Sequence, residues 1–215
     1  EATKKLSPEK SIGIEINKEY VSIAKKKAKD YGSVKIINAD IFQSYKTILP
    51  SDNLNKNILF IGNPPWVTNS GLGIIGGNNL PHKFNLKGLR GIDAITGKSN
   101  FDIAEYILLR LIEQYSHTNS VFAFLCKTIV VRNILKHLWS SGVQYKDSSL
   151  YPIDTVKYFN ASTDACYFVI DFREKFEVKK CNVYKSIDEP ALSTVYGYYP
   201  PLLVKNIEEF NSHNY

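Results

Sequence analysis

An apolar run at residues 57–62 breaks off at two successive prolines, Asn63-Pro64-Pro65, and Trp66 follows them. No other feature of the sequence limits the fold as tightly. Proline lacks a backbone N–H and has a fixed φ, so neither Pro64 nor Pro65 can carry on a sheet ladder. Each also forces the residue before it into an extended conformation. The run is therefore a strand that ends at Asn63 in a stiff turn, with the carbonyls of Asn63 and Pro64 held in set directions.

The pattern on either side places that turn in an alternating fold. Residues 11–16 alternate apolar and polar and read as a short strand ending in the carboxylate of Glu15. A helix over roughly 17–31 follows, with Tyr20, Ala24, Ala28 and Tyr31 on one face and the lysines at 25–27 and 29 on the solvated side. A strand at about 34–38 leads into Ala39-Asp40. Beyond the prolines, residues 67–99 are rich in Gly and Asn, contain Pro81 and show no period, which predicts a long loop. A helix to about 116 then opens at Ser99-Asn100-Phe101-Asp102, with Ser99 as cap and Asp102 in the first turn. Next come a strand at 120–126 and a helix at 129–140. The helix turns Val131, Ile134, Leu135, Leu138 and Trp139 inward and has Gly142 beyond its end. Strands at 148–157 and 165–172 follow with no helix between them. Strand–helix alternation predicts an α/β fold with a parallel sheet, and the final pair predicts an antiparallel edge, making the sheet mixed. Residues 1–177 form the expected domain, and 178–215 are expected to start a C-terminal module that serves target recognition.

In an open α/β sheet, ligands bind beyond the carboxyl ends of the strands. Three successive strand ends carry Glu15, Asp40 and Asn63. Glu15 could accept two hydrogen bonds from a ribose diol, and Asp40 could accept from the exocyclic amine of an adenine. Strand-end carboxylates also serve simply as helix caps, so it is their order along the chain that describes an adenosine-shaped pocket. At the third strand end, the Asn63 amide oxygen and the fixed Pro64 carbonyl pair as acceptors for the two hydrogens of an amino group, while Trp66 can stack on the attached ring. Accepting those hydrogens pushes electron density onto a nitrogen otherwise delocalised into the ring, so that it can attack a sulfonium methyl. Such chemistry works by positioning and preorganised acceptors and needs neither metal nor covalent nucleophile.

Over roughly residues 8–175 the sequence resembles the amino-methylating DNA methyltransferases of restriction-modification systems, whose adenine-N6 members carry an Asn-Pro-Pro-aromatic motif after an apolar strand. The resemblance implies a Rossmann-like fold dependent on S-adenosyl-L-methionine, with Asn63, Pro64 and Pro65 forming the catalytic turn and Trp66 stacking on the target base. It implies that Glu15, with Ile16 beside it, binds the cofactor ribose, and that Asp40, with Ile41, binds its adenine. In the segment Lys98-Ser99-Asn100-Phe101-Asp102, Phe101 matches the block lining the cofactor's methionine end and Lys98 is a substrate contact. Phe159 resembles the aromatic that sandwiches a flipped adenine from its other face. The base must leave the duplex, since its amino group is engaged in pairing there. The family places a Gly-rich cofactor block on the strand before Glu15. The first strand of the fold is thus expected to be missing, and the cofactor pocket incomplete. The chain also holds 0 methionines, so a longer parent protein is expected, with specificity or nuclease regions elsewhere.

Other signals are weaker. Lys and Arg outnumber Asp and Glu by 27 to 21, a net charge of +6 that suits a polyanionic partner such as DNA. The loop cations His82, Lys83, Lys87, Arg90 and Lys98 adjoin the catalytic turn and are candidates for backbone contact. Gly71-Leu72-Gly73-Ile74-Ile75-Gly76 matches a dinucleotide pattern literally, with Asp93 downstream, but no strand leads into it and no helix follows. Gly97-Lys98-Ser99 echoes a phosphate-binding loop, yet Ile92 stands where its first glycine belongs. His82, His117, His137 and His213 have no ligand spacing, so no metal is expected. Cys126, Cys166 and Cys181 suit a reduced, cytoplasmic chain, and no stretch is apolar enough for a membrane span. Guanine amino groups in RNA and glutamine amides in protein present the same planar nitrogen, and a non-catalytic DNA-binding or subunit-interaction fragment of the same fold is a further alternative.

Overall fold

A computed structural model of the protein describes residues 2–49, 55–66 and 102–213. It falls into two compact units, Glu1–Ser51 and Asp52–Tyr215. The expected loop over 67–99, with Lys98 and Phe101, lies outside the described residues.

The first unit is a βαβ unit behind a short helix, α1 (Ala2–Leu6). Strands β1 (Ser11–Glu15) and β2 (Val34–Asn38) run parallel, with Glu15 opposite Asn38. Helix α2 (Lys18–Ala28) connects them, and α3 (Ile41–Ser44) follows. The Asn17 side chain caps α2 by accepting from Glu19 N and Tyr20 N at 2.9 and 3.3 Å, which satisfies two of the donors a helix start leaves open. Helix α2 is shorter than the sequence pattern predicts, and its inner face differs. Val21 is buried, with Ala24 and Ala28 half-buried, whereas Tyr20 and Tyr31 are exposed.

The second unit is built on a seven-stranded sheet of order β3-β4-β6-β5-β7-β8-β9. Its strands are β3 (Ile58–Gly62), β4 (Ser120–Lys127), β5 (Tyr145–Ile153), β6 (Ala165–Phe176), β7 (Lys180–Tyr184), β8 (Leu192–Tyr199) and β9 (Leu202–Val204). Its described helices are α4 (Ile103–Tyr115), α5 (Thr128–Ser140), α6 (Thr155–Phe159) and α7 (Ile207–His213). Strand β3 is parallel to β4, and β6 runs antiparallel between β4 and β5. The sheet is mixed, as expected. The antiparallel pair β5–β6 lies inside it, however, because the segment 178–215 supplies β7–β9, which pair onward from β5.

Helix α4 is apolar nearly all round, with every residue from Ile103 to Ile112 buried. Its cap is Asp102, whose Oδ1 accepts from Ala104 N at 2.9 Å; the first turn therefore starts later than a Ser99 cap would place it. All five α5 residues expected to face inward are buried. Gly142, at φ +68°, ends that helix with Val143 N donating to Leu138 O, a left-handed stop that glycine adopts without strain. Aromatic rings fill the core beneath β3. Phe60 stacks on Phe122 at 4.6 Å, and Phe172 meets Phe122 edge-on at 5.5 Å. Burying one such ring contributes about 1.5–3 kcal/mol, so these rings fasten β3, and the turn after it, to the sheet.

Candidate active site

In the first unit, Glu15 ends β1, and Asp40 lies two residues beyond Asn38, the partner of Glu15 at the end of the neighbouring parallel strand β2. Glu15 Oε1 accepts from Asn17 N at 2.7 Å, a local bond that turns the chain into α2. Asp40 caps α3 through Oδ1, which accepts from Phe42 N at 2.9 Å. Capping is the plainer of the two roles a strand-end carboxylate can have. It does not exhaust a carboxylate with about four acceptor positions. Ala39 N donates to Glu15 O at 3.1 Å, so the chain leading to Asp40 is stitched to the end of β1. Ile16 is exposed and Ile41 half-buried beside these carboxylates.

A residue that the sequence pattern does not single out organises this edge. Asn38 Nδ2 donates to both Glu15 O and Ile16 O, at 3.0 and 2.8 Å. One amide thereby fixes the path of the backbone at the end of β1. Its signal is an asparagine in register with Glu15 at a parallel strand end, which periodicity alone does not reveal.

In the second unit, β3 ends as the prolines require, and Asn63–Trp66 continue without regular structure. Pro64 is buried while Asn63 and Pro65 are exposed, so the turn is anchored by one ring and presents the asparagine outward. Gly62 lies under the ring of Phe124; a Cβ there would stand 2.9 Å from Phe124 Cε1. Only glycine lets the strand end come this close, and that approach sets where Asn63 emerges. Trp66 Nε1 donates to Leu125 O at 3.3 Å, on the neighbouring strand β4. Among the described residues, this bond holds the indole at one edge, and the ring lies half-exposed.

Phe159 comes to the same place from the other side of the sheet order. It meets Trp66 with ring centroids 5.7 Å apart and planes at 77°. The sequence pattern predicts no helix between the strands at 148–157 and 165–172, yet α6 occupies Thr155–Phe159. Asp154 caps it by accepting from Lys157 N at 2.9 Å, and Asn160 closes it at φ +50°. Asparagine is among the few residues that visit this left-handed region readily. Thr155 Oγ1 donates to Thr163 O at 2.7 Å and so closes the loop back onto β6.

Charged groups line the C-terminal end of β4. Lys127 Nζ pairs with Asp102 Oδ2 at 2.9 Å, which ties the start of α4 to the strand end. One turn further into α4, Glu105 is buried and accepts from Asn133 Nδ2 at 2.9 Å. Burial pushes its carboxyl above the ordinary range, and the Asn133 bond only partly offsets this. The thiols Cys126 and Cys166 face one another across β4–β6, and both are buried. Each of the second unit's described candidates (Asn63, Pro64, Pro65, Trp66 and Phe159) thus lies at one sheet end, whereas Glu15, Ile16, Asp40 and Ile41 share the strand ends of the first unit. Among the described residues, no helix is long and apolar enough to cross a membrane.

No family model matches the chain. Over 201 residues it is 41% identical to the Type II methyltransferase M.NspV of Nostoc sp., an alignment spanning 92% of this chain and 41% of that protein. The chain therefore spans less than half the length of this curated relative. Among solved structures, it resembles a type I restriction-modification methyltransferase subunit from Streptococcus thermophilus. That match has a TM-score of 0.50 at 14% identity and covers 95% of this chain and 46% of that one. A modification subunit of a putative type I restriction enzyme from Vibrio vulnificus YJ016 also gives a TM-score of 0.50, at 10% identity, with 80% and 34% coverage. These likenesses show the fold, a Rossmann-like α/β methyltransferase fold with a mixed sheet. The kinship first suggested by Asn63-Pro64-Pro65-Trp66 thus extends over 92% of the chain: it is homologous to a segment of a Type II methyltransferase.

Proposed function

We propose that this chain carries the catalytic turn of an adenine-specific DNA methyltransferase, which moves a methyl group from S-adenosyl-L-methionine to the N6 amino group of an extruded adenine. The observation that carries the reading is the turn itself. Asn63 is exposed at the end of a strand whose next residue, Pro64, is buried, and Trp66 is tethered to β4 through Leu125 O. The 41% identity to a Type II methyltransferase supports DNA as the substrate.

The chemistry follows from those residues. The Asn63 side-chain oxygen and the Pro64 carbonyl accept the two hydrogens of the target amine. Because the prolines fix the backbone that carries both acceptors, little reorganisation is needed there as charge develops on the nitrogen. Trp66 and Phe159 supply the apolar faces against which an extruded base rests. The first unit fits the adenosine part of the cofactor. Glu15 and Asp40 stand at adjacent parallel strand ends, where they can accept from a ribose diol and an exocyclic amine, and Asn38 holds the intervening backbone in place. When bound, the cofactor supplies an electrophilic methyl group on a positively charged sulfur. The segment 178–215 is the proposed start of a target-recognition region, in a restriction-modification or phage-defence setting.

The test is transfer of labelled methyl groups by the full-length protein to unmethylated DNA, RNA and protein offered side by side. Label in N6-methyladenine of DNA is expected; label only in RNA or protein would overturn the reading. Asn63→Ala is expected to abolish transfer and leave cofactor affinity nearly unchanged, since its role is toward the amine.

A further inference from the structure

The loop between β7 and β8 (residues 185–191) reaches over the end of β5. Ile187 N donates to Pro152 O at 3.0 Å, two residues before the Asp154 cap of α6. The loop is closed upon itself: Lys185 N donates to Ala191 O at 2.9 Å, and Glu189 N to Ser186 Oγ at 2.9 Å. Below it, Tyr151 of β5 and Tyr184 of β7 stack at 4.5 Å with planes 6° apart. The loop is therefore a built platform beside α6. From it Asp188 takes two bonds, accepting from Lys157 Nζ at 2.8 Å and from Tyr158 OH at 2.5 Å.

Packing does little to orient α6. Thr155 is its one buried residue, and Val156, Tyr158 and Phe159 are 63%, 46% and 46% exposed. With no apolar face buried, and one turn too short to be stable by itself, α6 depends for its orientation on the hydrogen bonds that hold it. Asp154, Thr155 and Asn160 fasten its two ends, while Asp188 holds its middle, at the residue directly before Phe159.

We propose that Asp188 is a positioning residue for Phe159: by gripping Lys157 and Tyr158 it sets the rotation of α6 that brings Phe159 edge-on to Trp66. This rests on the reading above, in which the two rings receive the target base. It also gives the C-terminal strands a role at the site, since the loop joining β7 to β8 then bears on the aromatic face offered to that base. The Lys157 and Tyr158 bonds hold the Asp188 carboxyl below its usual range, so the grip persists at neutral pH. An exposed ion pair adds little to stability. What is proposed here is geometric, a choice of rotation for one turn.

The test uses full-length protein labelled with fluorotryptophan, whose Trp66 fluorine resonance is assigned by its loss in Trp66→Phe. In Asp188→Ala and in Tyr158→Phe, which removes only the hydroxyl, the Trp66 resonance is expected to shift or broaden. The buried Trp139 should keep its position and so report an intact fold. With Asp188→Ala, KM for DNA should rise several-fold with kcat little changed, the pattern of lost binding rather than lost chemistry. An unmoved Trp66 resonance in both variants overturns the proposal, as does an unmoved KM. If the parent protein fails to methylate DNA at all, the functional reading falls, whereas the fluorine signal still decides the Asp188 link.

Discussion

Trp66 and Phe159 meet edge to face, with 5.7 Å between ring centroids and 77° between planes. That contact leaves no slot between them. A base held face-on by both needs two stacking distances of about 3.5 Å each, and parallel planes. If the two rings hold a base as proposed, they have to part for it to enter, and the base replaces the contact they make now. Both are partly exposed, Trp66 tethered among the described residues by its bond to Leu125 O and Phe159 on a one-turn helix, so the exchange requires no core rearrangement.

From this, Trp66→Ala and Phe159→Ala should each weaken binding of target DNA by about 1–3 kcal/mol, the usual worth of a base–aromatic stack. The double variant should lose more than the sum, because each single change already removes the ring contact that the base must break, a relief that the double variant gains only once. A double-mutant cycle in equilibrium DNA binding measures this; strict additivity would mean that the rings act on separate parts of the ligand.

Gly62→Ala is expected to damage the site through packing rather than chemistry. Its Cβ would stand 2.9 Å from Phe124 Cε1, so either the ring or the strand end moves. Overpacking of this kind costs about 1–3 kcal/mol, and the displaced element here carries Asn63. Both the urea midpoint and the transfer rate should fall, and Phe124→Leu in the same chain should restore much of each. Failure of that rescue would show that the close approach of Gly62 is not what positions the turn.

Much of this arrangement is legible in the amino-acid pattern. The prolines dictate the end of β3, and the helical spacing of Val131, Ile134, Leu135, Leu138 and Trp139 marks the buried face of α5. What escapes is short or non-local. The turn α6 is too brief to display a period, and its markers, Asp154 and Asn160, look like ordinary loop residues. In α2, hydrophobicity points Tyr20 and Tyr31 inward, yet Val21 takes the buried position. The attachment of residues 178–215 to the sheet rests on a parallel pairing of Ser149 with Asn182 and Leu150 with Val183, a contact no local pattern announces. Asn38 is invisible for the same reason: its bonds go to Glu15 and Ile16, 23 and 22 residues away.

Away from the site, β5 and β6 oppose two carboxylates, Asp147 and Asp171. Partial desolvation and then the Asp171 charge raise the Asp147 carboxyl. Burial alone would raise Asp171 too, but the bonds from Arg173, Nε to Oδ1 at 3.0 Å among them, bring it below its ordinary value. The two signs differ. A raised carboxyl opposes folding above its folded pKa, and that penalty is relieved as pH falls through it. The depressed Asp171 contributes stability above the ordinary carboxylate value and loses it as pH drops through its lowered pKa. Asp147→Asn should therefore stabilise the protein at neutral pH, by a few tenths of a kcal/mol given the exposure of Asp147. The gain should vanish below about pH 3, where both carboxyls of the parent are largely neutral in the unfolded chain. Melting curves across that range check it, and a gain that persisted in acid would point to a cause other than charge.

Asn38 and Asn63 provide a paired test of how the two units divide the work. Asn38 Nδ2 holds Glu15 O and Ile16 O, and so acts on the backbone that carries the proposed ribose acceptor. Each such bond is worth about 0.5–1.5 kcal/mol net, and less where solvent competes, as it does at this exposed residue. Asn38→Ala should accordingly weaken cofactor binding several-fold and slow transfer only when cofactor is limiting. Asn63→Ala should do the reverse, with transfer lost at any cofactor concentration and affinity retained. Calorimetric titration of cofactor into both variants, together with transfer rates at saturation, separates these outcomes. If Asn38→Ala binds cofactor like the parent, the strand ends of the first unit are not the adenosine site, and Glu15 and Asp40 are left with the capping and turn bonds they make in the folded chain.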